Sequence, residues 1–292
     1  MFQGSIVAIV TPMLENGEVD FDSLQSLVKF HIQEGTDAIV SVGTTGESAP
    51  LSMEEHSKVI RKTIEYANGE IPIIAGTGAN STREALELTE NAKKAGAMAC
   101  LLVTPYYNKP PQEGLYQHFR KIAESVDIPQ IVYNVSGRTS VDMSPQTTAR
   151  LAEIDNIIGT KEAHGTVERI KELVALCPSD FRIFTGDDST AMESILAGAH
   201  GNISVTANVA PALMHQMCKA ALNKDEATAR EIESRLADLN RLLFIESSPI
   251  PVKWALTQMG MMKYGLRLPL VQLSDSCHDQ VSGALKKAGI TA

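Results

Sequence analysis

Residues 156–165 read NIIGTKEAHG. Ile157 and Ile158 begin an apolar, β-like run, and that run leads straight to Lys161 and Glu162. Lysine is among the residues least often buried, and an ammonium in a strand interior is costly. The run, IIGTKEA (157–163), is one of eight. SIVAIVTP (5–12), AIVSVG (38–43), IPIIAG (71–76), ACLLVTP (99–105) and IPQIVYNV (128–135) precede it, and FRIFTGDD (181–188) and GNISVTAN (201–208) follow. Their apolar character is nearly continuous rather than alternating, as in parallel strands covered by helices.

Between the runs lie charge-bearing amphipathic segments with helix start marks. Ser52 is followed by Glu55, and Ser81 by Glu84, both in the spacing of a capping box. Ser144-Pro145 reads as a serine cap with proline at the first helical position. Strand–helix units repeating at about thirty residues or fewer predict an α/β fold, a (β/α)8 TIM barrel. A doubly wound open sheet is the alternative, because a strand count from one sequence can err by about one or two. Beyond residue 224 the strand signal stops, and KDEATAREIESRLADLNRLLFIE, IPVKWALTQMG and QVSGALKKAG are helical by pattern. The expected organisation is a (β/α)8 catalytic barrel over 1–224 and a C-terminal helical domain over 225–292.

With 43% hydrophobic and 21% charged residues, the 292-residue chain has the composition of a soluble globular protein with a sizeable core. A formal charge of −9, with no basic run, argues against nucleic acid or an anionic membrane as partner. An anionic small substrate needs only a local cation. Cys100, Cys177, Cys218 and Cys277 stand far apart without a CxxC, so neither a zinc site nor a disulfide framework is indicated. Reduced thiols in a cytoplasm fit better. MFQGSIVAIVTPM lacks a charged segment ahead of a long apolar stretch, and no run reaches membrane-spanning length. The histidines show no HExxH or other ligand spacing, so no metal is expected. The default expectation is a cytoplasmic protein.

Reactive groups of a barrel sit at the carboxyl ends of its strands. Those ends carry Thr44, Thr45 and Glu47, then Tyr106 and Tyr107, Tyr133 and Arg138, Lys161, and finally Asp187 and Asp188. The other lysines mostly fall on helical stretches or in loops, and Lys161 is the exception. Its plain alternative is a structural lysine that reaches solvent or pairs with Glu162. A strand-end lysine can form an imine with a carbonyl substrate. At the free pKa of about 10.4 only about one amine in a few thousand is neutral at pH 7, and an apolar interior that lowers the pKa makes the nucleophile far more abundant. Tyr133, on the preceding strand, is placed to shuttle protons, its alternative being an ordinary core tyrosine. Arg138, in the turn SGRTS, can clamp a carboxylate, and GTTGES offers N–H groups and hydroxyls to a small anionic head group. GTGANS (76–81) lacks the third glycine of a dinucleotide loop and reads as a turn. Asp187 and Asp188 would repel a phosphate dianion, which favours a non-phosphorylated substrate.

GTTGES (43–48), TPYYNKP (104–110), YNVSGRTS (133–140), IIGTKEA (157–163) and GNISVTANVAP (201–211) stand in one order and spacing. With them the chain resembles, over essentially its whole length, the family of 4-hydroxy-tetrahydrodipicolinate synthase, also called dihydrodipicolinate synthase. The resemblance implies a class I Schiff-base, pyruvate-dependent aldolase-type lyase of lysine and diaminopimelate biosynthesis. In such enzymes pyruvate forms an imine with the residue matched by Lys161, becomes an enamine and attacks L-aspartate 4-semialdehyde. No cofactor beyond that covalent imine is implied. By position, Thr44, Tyr107 and Tyr133 match the family's proton relay, Thr45 with Thr44 the binding of the pyruvate carboxylate, and Arg138 the receiver of the semialdehyde carboxylate. Ile203 matches a residue whose backbone carbonyl lines the pocket. The family pattern is a homotetramer, a dimer of dimers, in which Tyr107 reaches into the neighbouring subunit. Many members are inhibited by L-lysine at that interface, where Ser48, Ala49, His56, Asn80, Glu84 and Tyr106 match.

Three positions depart from the pattern. Ser136 replaces a usual proline and should loosen the turn beside Arg138. His164 replaces a small hydroxyl residue, either tuning the site or capping a helix. Met53 stands where lysine-sensitive relatives can carry histidine. N-acetylneuraminate lyase and related pyruvate aldolases share the lysine and tyrosine but generally lack a match for Arg138. A non-catalytic, amino-acid-binding barrel would have no need of an imine-forming amine.

Overall fold

The protein is described by a computed structural model over residues 2–290. Its parallel strands close into a barrel in chain order: β1 (Gly4–Ala8), β2 (Ala38–Ser41), β3 (Ile73–Gly76), β4 (Ala99–Val103), β5 (Gln130–Asn134), β6 (Ile157–Glu162), β7 (Arg182–Thr185) and β8 (Gly201–Ser204). The first strand decides between barrel and open sheet. Its Ile6 lies beside Ala38 of β2 on one side and Ile203 of β8 on the other, so no edge remains.

The outer ring is α1 (Phe21–Gln33), α2 (Met53–Ala67), α3 (Thr82–Ala95), α4 (Gln112–Ser125), α5 (Ser136–Thr139), α6 (Pro145–Leu151), α7 (Val167–Leu176), α8 (Ala191–Leu196) and α9 (Pro211–Leu222). Then come α10 (Glu226–Leu242), α11 (Ile250–Gln258) and α12 (Asp275–Ala288). The last begins ahead of QVSGALKKAG, at Asp275, an acid that suits a helix's first turn. At α2 the capping box is complete: the Glu55 N–H donates to Ser52 Oγ and the Ser52 N–H to Glu55 Oε2. At α3 only half forms, since Ser81 Oγ accepts from the Glu84 N–H without the return bond. Ser144 caps α6 ahead of Pro145 as expected.

Alternation within each strand divides the apolar residues in two. Ile6, Val40, Leu101, Ile131, Phe184 and Ile203 fill the barrel interior. Their neighbours Val7, Ile39, Leu102, Val132 and Ile183 face the helices in a second core, which also takes in Leu239, Trp254 and Leu285 of the C-terminal helices. The apolar runs overshoot the strands at several carboxyl ends. FRIFTGDD leaves the ladder after Thr185 and GNISVTAN after Ser204, each turning into a short 3-10 segment. Those departures make the loops of one barrel face. Among the described residues, no helix is long and apolar enough to cross a membrane.

Candidate active site

A cavity of about 400 Å³ opens on that face, and Thr44, Thr45, Tyr133, Arg138, Lys161 and Gly186 line it. Lys161 occupies the inward face of β6, 5% exposed, with Tyr133 of β5 and Phe184 of β7 as its register partners. Its Nζ lies 4.4 Å from the centroid of the Tyr133 ring. Burial lowers the Lys161 pKa to about 8; the Asp188 charge opposes the shift and Arg138 adds to it. Glu162 points to the other side of the sheet and bonds Asn134, so it is not the lysine's counter-ion. The same burial raises Tyr133 to about 12, with Arg138 and a hydrogen bond to Thr44 pulling the other way. An amine that gives up its proton far more readily than a solvated lysine thus stands beside a tyrosine that keeps its own.

Thr44 and Thr45 belong to a tight turn after β2 that is closed by Gly46 N–H to Gly43 O at 3.0 Å and Glu47 N–H to Thr44 O at 3.1 Å. The turn approaches β3 so closely that a Cβ at Gly76 would lie 2.2 Å from Val42 O. SGRTS is a single helical turn, not a loosened loop: the Arg138 and Thr139 N–H groups donate to Val135 O, and that of Ser140 to Ser136 O. From it the Arg138 guanidinium reaches over the cavity and donates to Ser248 O at 3.2 Å. His164 lies outside α7, whose N-cap is Thr166, and its Nδ1 is 3.2 Å from Thr166 Oγ1.

The remaining expected residues lie elsewhere, apart from Ser48. Ile203 is fully buried in the barrel interior below the cavity. Tyr107 is 88% exposed, with a backbone φ of 72°, outside the cavity. Ser48 is on the cavity wall and Ala49 on the surface beside it. His56 is buried, which pushes its pKa down to about 4 against a hydrogen bond to the Gly76 backbone. Asn80 O accepts from Asn108 Nδ2 at 2.9 Å. Burial and the charge of Glu84 raise the Tyr106 pKa.

Reading strand ends alone misses one wall of the cavity, because Asn240, Arg241, Phe244 and Ser248 come from α10 and the chain after it. No strand precedes them, so nothing in the repeat marks them. It also misses a second buried lysine. Lys253 of α11 is 0% exposed and meets Glu47 of the Thr44–Thr45 turn at 2.5 Å. Asp188, expected only as a repulsive charge, is an organiser: it accepts from Asn202 Nδ2 and from the N–H groups of Val205 and Thr206. Among the described residues, no group of histidine, cysteine and acidic side chains is placed to hold a metal ion.

Comparison with known proteins gives one answer over the whole chain. The model of the dihydrodipicolinate synthetase family matches residues 1–288. The 4-hydroxy-tetrahydrodipicolinate synthase of Pseudomonas savastanoi pv. phaseolicola is 61% identical over 290 residues, which are 99% of each chain. Among solved structures, the chloride-inhibited dihydrodipicolinate synthase of Acinetobacter baumannii complexed with pyruvate has a TM-score of 0.98 at 57% identity, covering 99% of this chain and 100% of that one. A DHDPS of Cyanidioschyzon merolae with lysine bound has a TM-score of 0.96 at 37% identity, covering 99% of both chains.

Proposed function

The chain belongs to the dihydrodipicolinate synthetase family, and from that premise we propose that it condenses pyruvate with L-aspartate 4-semialdehyde through an imine at Lys161. It is a lyase of lysine and diaminopimelate biosynthesis, with the activity of a 4-hydroxy-tetrahydrodipicolinate synthase. The observation that carries the assignment of the nucleophile is the buried Lys161 amine, with a pKa of about 8, against the Tyr133 ring.

With that pKa, roughly a tenth of the amines are neutral at pH 7, against about one in a few thousand for a solvated lysine. The neutral Nζ attacks C2 of pyruvate. Tyr133, still protonated, hands a proton to the oxygen that leaves as water, and Thr44 holds the phenol in place. Loss of a C3 proton turns the imine into an enamine, whose C3 bonds to the aldehyde carbon of the semialdehyde. The substrate's amino group then adds to C2, closes the ring and displaces Lys161 as a free amine. One water is released overall and the lysine is regenerated, so no external cofactor enters the balance. The turn at Thr44 and Thr45 suits the pyruvate carboxylate, and Arg138 suits that of the semialdehyde. Arg138 also favours this reaction over that of the related lyases.

The proposal extends to assembly and control. Tyr107, with 88% of its surface exposed, and Tyr106, with 39%, make a face suited to a second copy of the chain, and Tyr107 would then complete the partner's relay. Two such dimers would make the tetramer. Lysine would bind at the same face, where the Glu84 carboxylate beside Tyr106 suits an ammonium. The four free cysteines fit a cytoplasmic setting. Intact mass after incubation with pyruvate and borohydride tests the chemistry. The wild type should gain one reduced pyruvate per chain and Lys161→Ala none. A full adduct on the variant would overturn the assignment.

A further inference from the structure

Behind the paired Tyr133 and Lys161 lies a second pair, one residue further along each strand. Asn134 and Glu162 are also register partners, but they face the helices. Asn134 Nδ2 lies 3.0 and 3.2 Å from the two Glu162 carboxylate oxygens and 2.8 Å from Asp142 Oδ1. Asn134 Oδ1 accepts from the Met143 N–H at 2.9 Å. Glu162 Oε1 accepts from the His164 N–H at 2.9 Å, which bends the chain away just past the catalytic strand. Arg169 of α7 closes the cluster, donating to Asp142 Oδ2 at 2.7 Å and to Met143 O at 3.2 Å, with Glu162 Oε2 at 3.9 Å. Asn134 is 0% and Glu162 2% exposed, so the inner part of the network is sealed from solvent, while Asp142 and Arg169 carry it to the surface.

The cluster is attached to the elements that bring Lys161, Tyr133 and Arg138. Side-chain direction alternates along a strand, so clamping Asn134 to Glu162 fixes the alignment that sets Tyr133 opposite Lys161. Asp142 and Met143 follow the helical turn that presents Arg138, and both are tied into the network. The Glu162 carbonyl accepts from the Gly186 N–H at 2.8 Å, which holds the end of β7 against the lysine. We propose that Glu162 is a positioning residue for the imine chemistry: with Asn134 and Arg169 it fixes the relative placement of Lys161, Tyr133 and Arg138 without touching substrate. This inference rests on the imine assignment above.

Glu162→Ala and Glu162→Gln, assayed in the full-length enzyme per folded molecule, test it. A misplacement on the order of 1 Å can cost about 10²-fold in turnover. Glu162→Ala should therefore lose about that factor in kcat, with the KM for pyruvate moving less than about threefold and borohydride trapping slowed in parallel. Glu162→Gln keeps an acceptor for the His164 N–H and should recover most of the loss, to within about fivefold of wild type. If Glu162→Ala fails to fold, Arg169→Gln on the half-exposed side of the cluster carries the test, with an expected fall in kcat of about tenfold. A turnover within threefold of wild type in Glu162→Ala, or in Arg169→Gln where Glu162→Ala does not fold, overturns the inference, as does a loss borne by KM alone or shared equally by the Glu162→Gln and Glu162→Ala variants. Absence of a wild-type pyruvate adduct would overturn the imine reading instead, so the two failures are distinguishable.

Discussion

A Cβ at Gly186 would lie 2.5 Å from Lys161 Cε, 2.9 Å from Ala163 Cβ and 3.2 Å from Lys161 Cγ. Contacts that short force something to move: the outer end of Lys161 can swing aside, whereas Ala163 Cβ can give way only with its backbone. The glycine is therefore required by space and not by backbone conformation. Gly186→Ala should fold at a cost of about 1–3 kcal/mol for the overpacking and lose about 10²-fold in kcat/KM, since the displaced amine no longer meets the carbonyl on line. Steady-state kinetics beside a thermal melt would check this, and an alanine variant with near-normal turnover would refute it. The sequence places Lys161 and Tyr133 together because a two-residue period and strand adjacency are enough for that. It gives no sign of Gly186, because the need for a missing methyl group appears only once the lysine's path is known.

At the scale of elements, the strand–helix repeat is legible because each strand is buried on both faces and so reads as an unbroken apolar run. Strand ends are less legible for the same reason, since Asp187–Asp188 and Thr206–Asn208 are held by local turns, not by the ladder. The C-terminal helices are legible as helices but not as a wall of the site. One buried tie to it is the Glu47–Lys253 pair, both side chains 0% exposed. Arg267 reinforces it, its N–H at 3.3 Å from Glu47 Oε2 and its guanidinium on Glu55 and Pro50 O. Ion pairs between residues far apart in sequence leave no periodic trace. Removing one partner of a buried pair strands the other charge, at a cost of about 3–5 kcal/mol. Lys253→Met should lose about that much in a urea titration, and combining it with Glu47→Gln, which removes the stranded charge, should restore part of it. A single variant within about 1 kcal/mol of wild type would show that the pair is dispensable.

For the whole molecule, Tyr107 poses the open problem: a large side chain, 88% exposed at a φ of 72°, in a loop whose neighbours Asn108 and Asn80 are bonded to each other. A non-glycine residue in the left-handed region is uncommon for a bulky side chain and is held only where surroundings demand it. Our proposal supplies those surroundings from a second chain, and it makes a prediction that a single chain cannot imitate. Lys161→Ala and Tyr107→Ala should each be nearly inactive. A two-fold dimer formed from one of each would contain one site with Lys161 from the Tyr107→Ala chain and Tyr107 from the Lys161→Ala chain, and one site with neither. After subunit exchange at equal amounts, about half the dimers are mixed and one site in two is intact within them, so activity should recover to about a quarter of wild type. If Tyr107 serves its own chain, mixing restores nothing beyond the sum of the two variants. The same exchanged sample reports on control: lysine bound at that face should inhibit the recovered activity, and activity that stays level across a lysine titration would remove the regulatory site from the proposal.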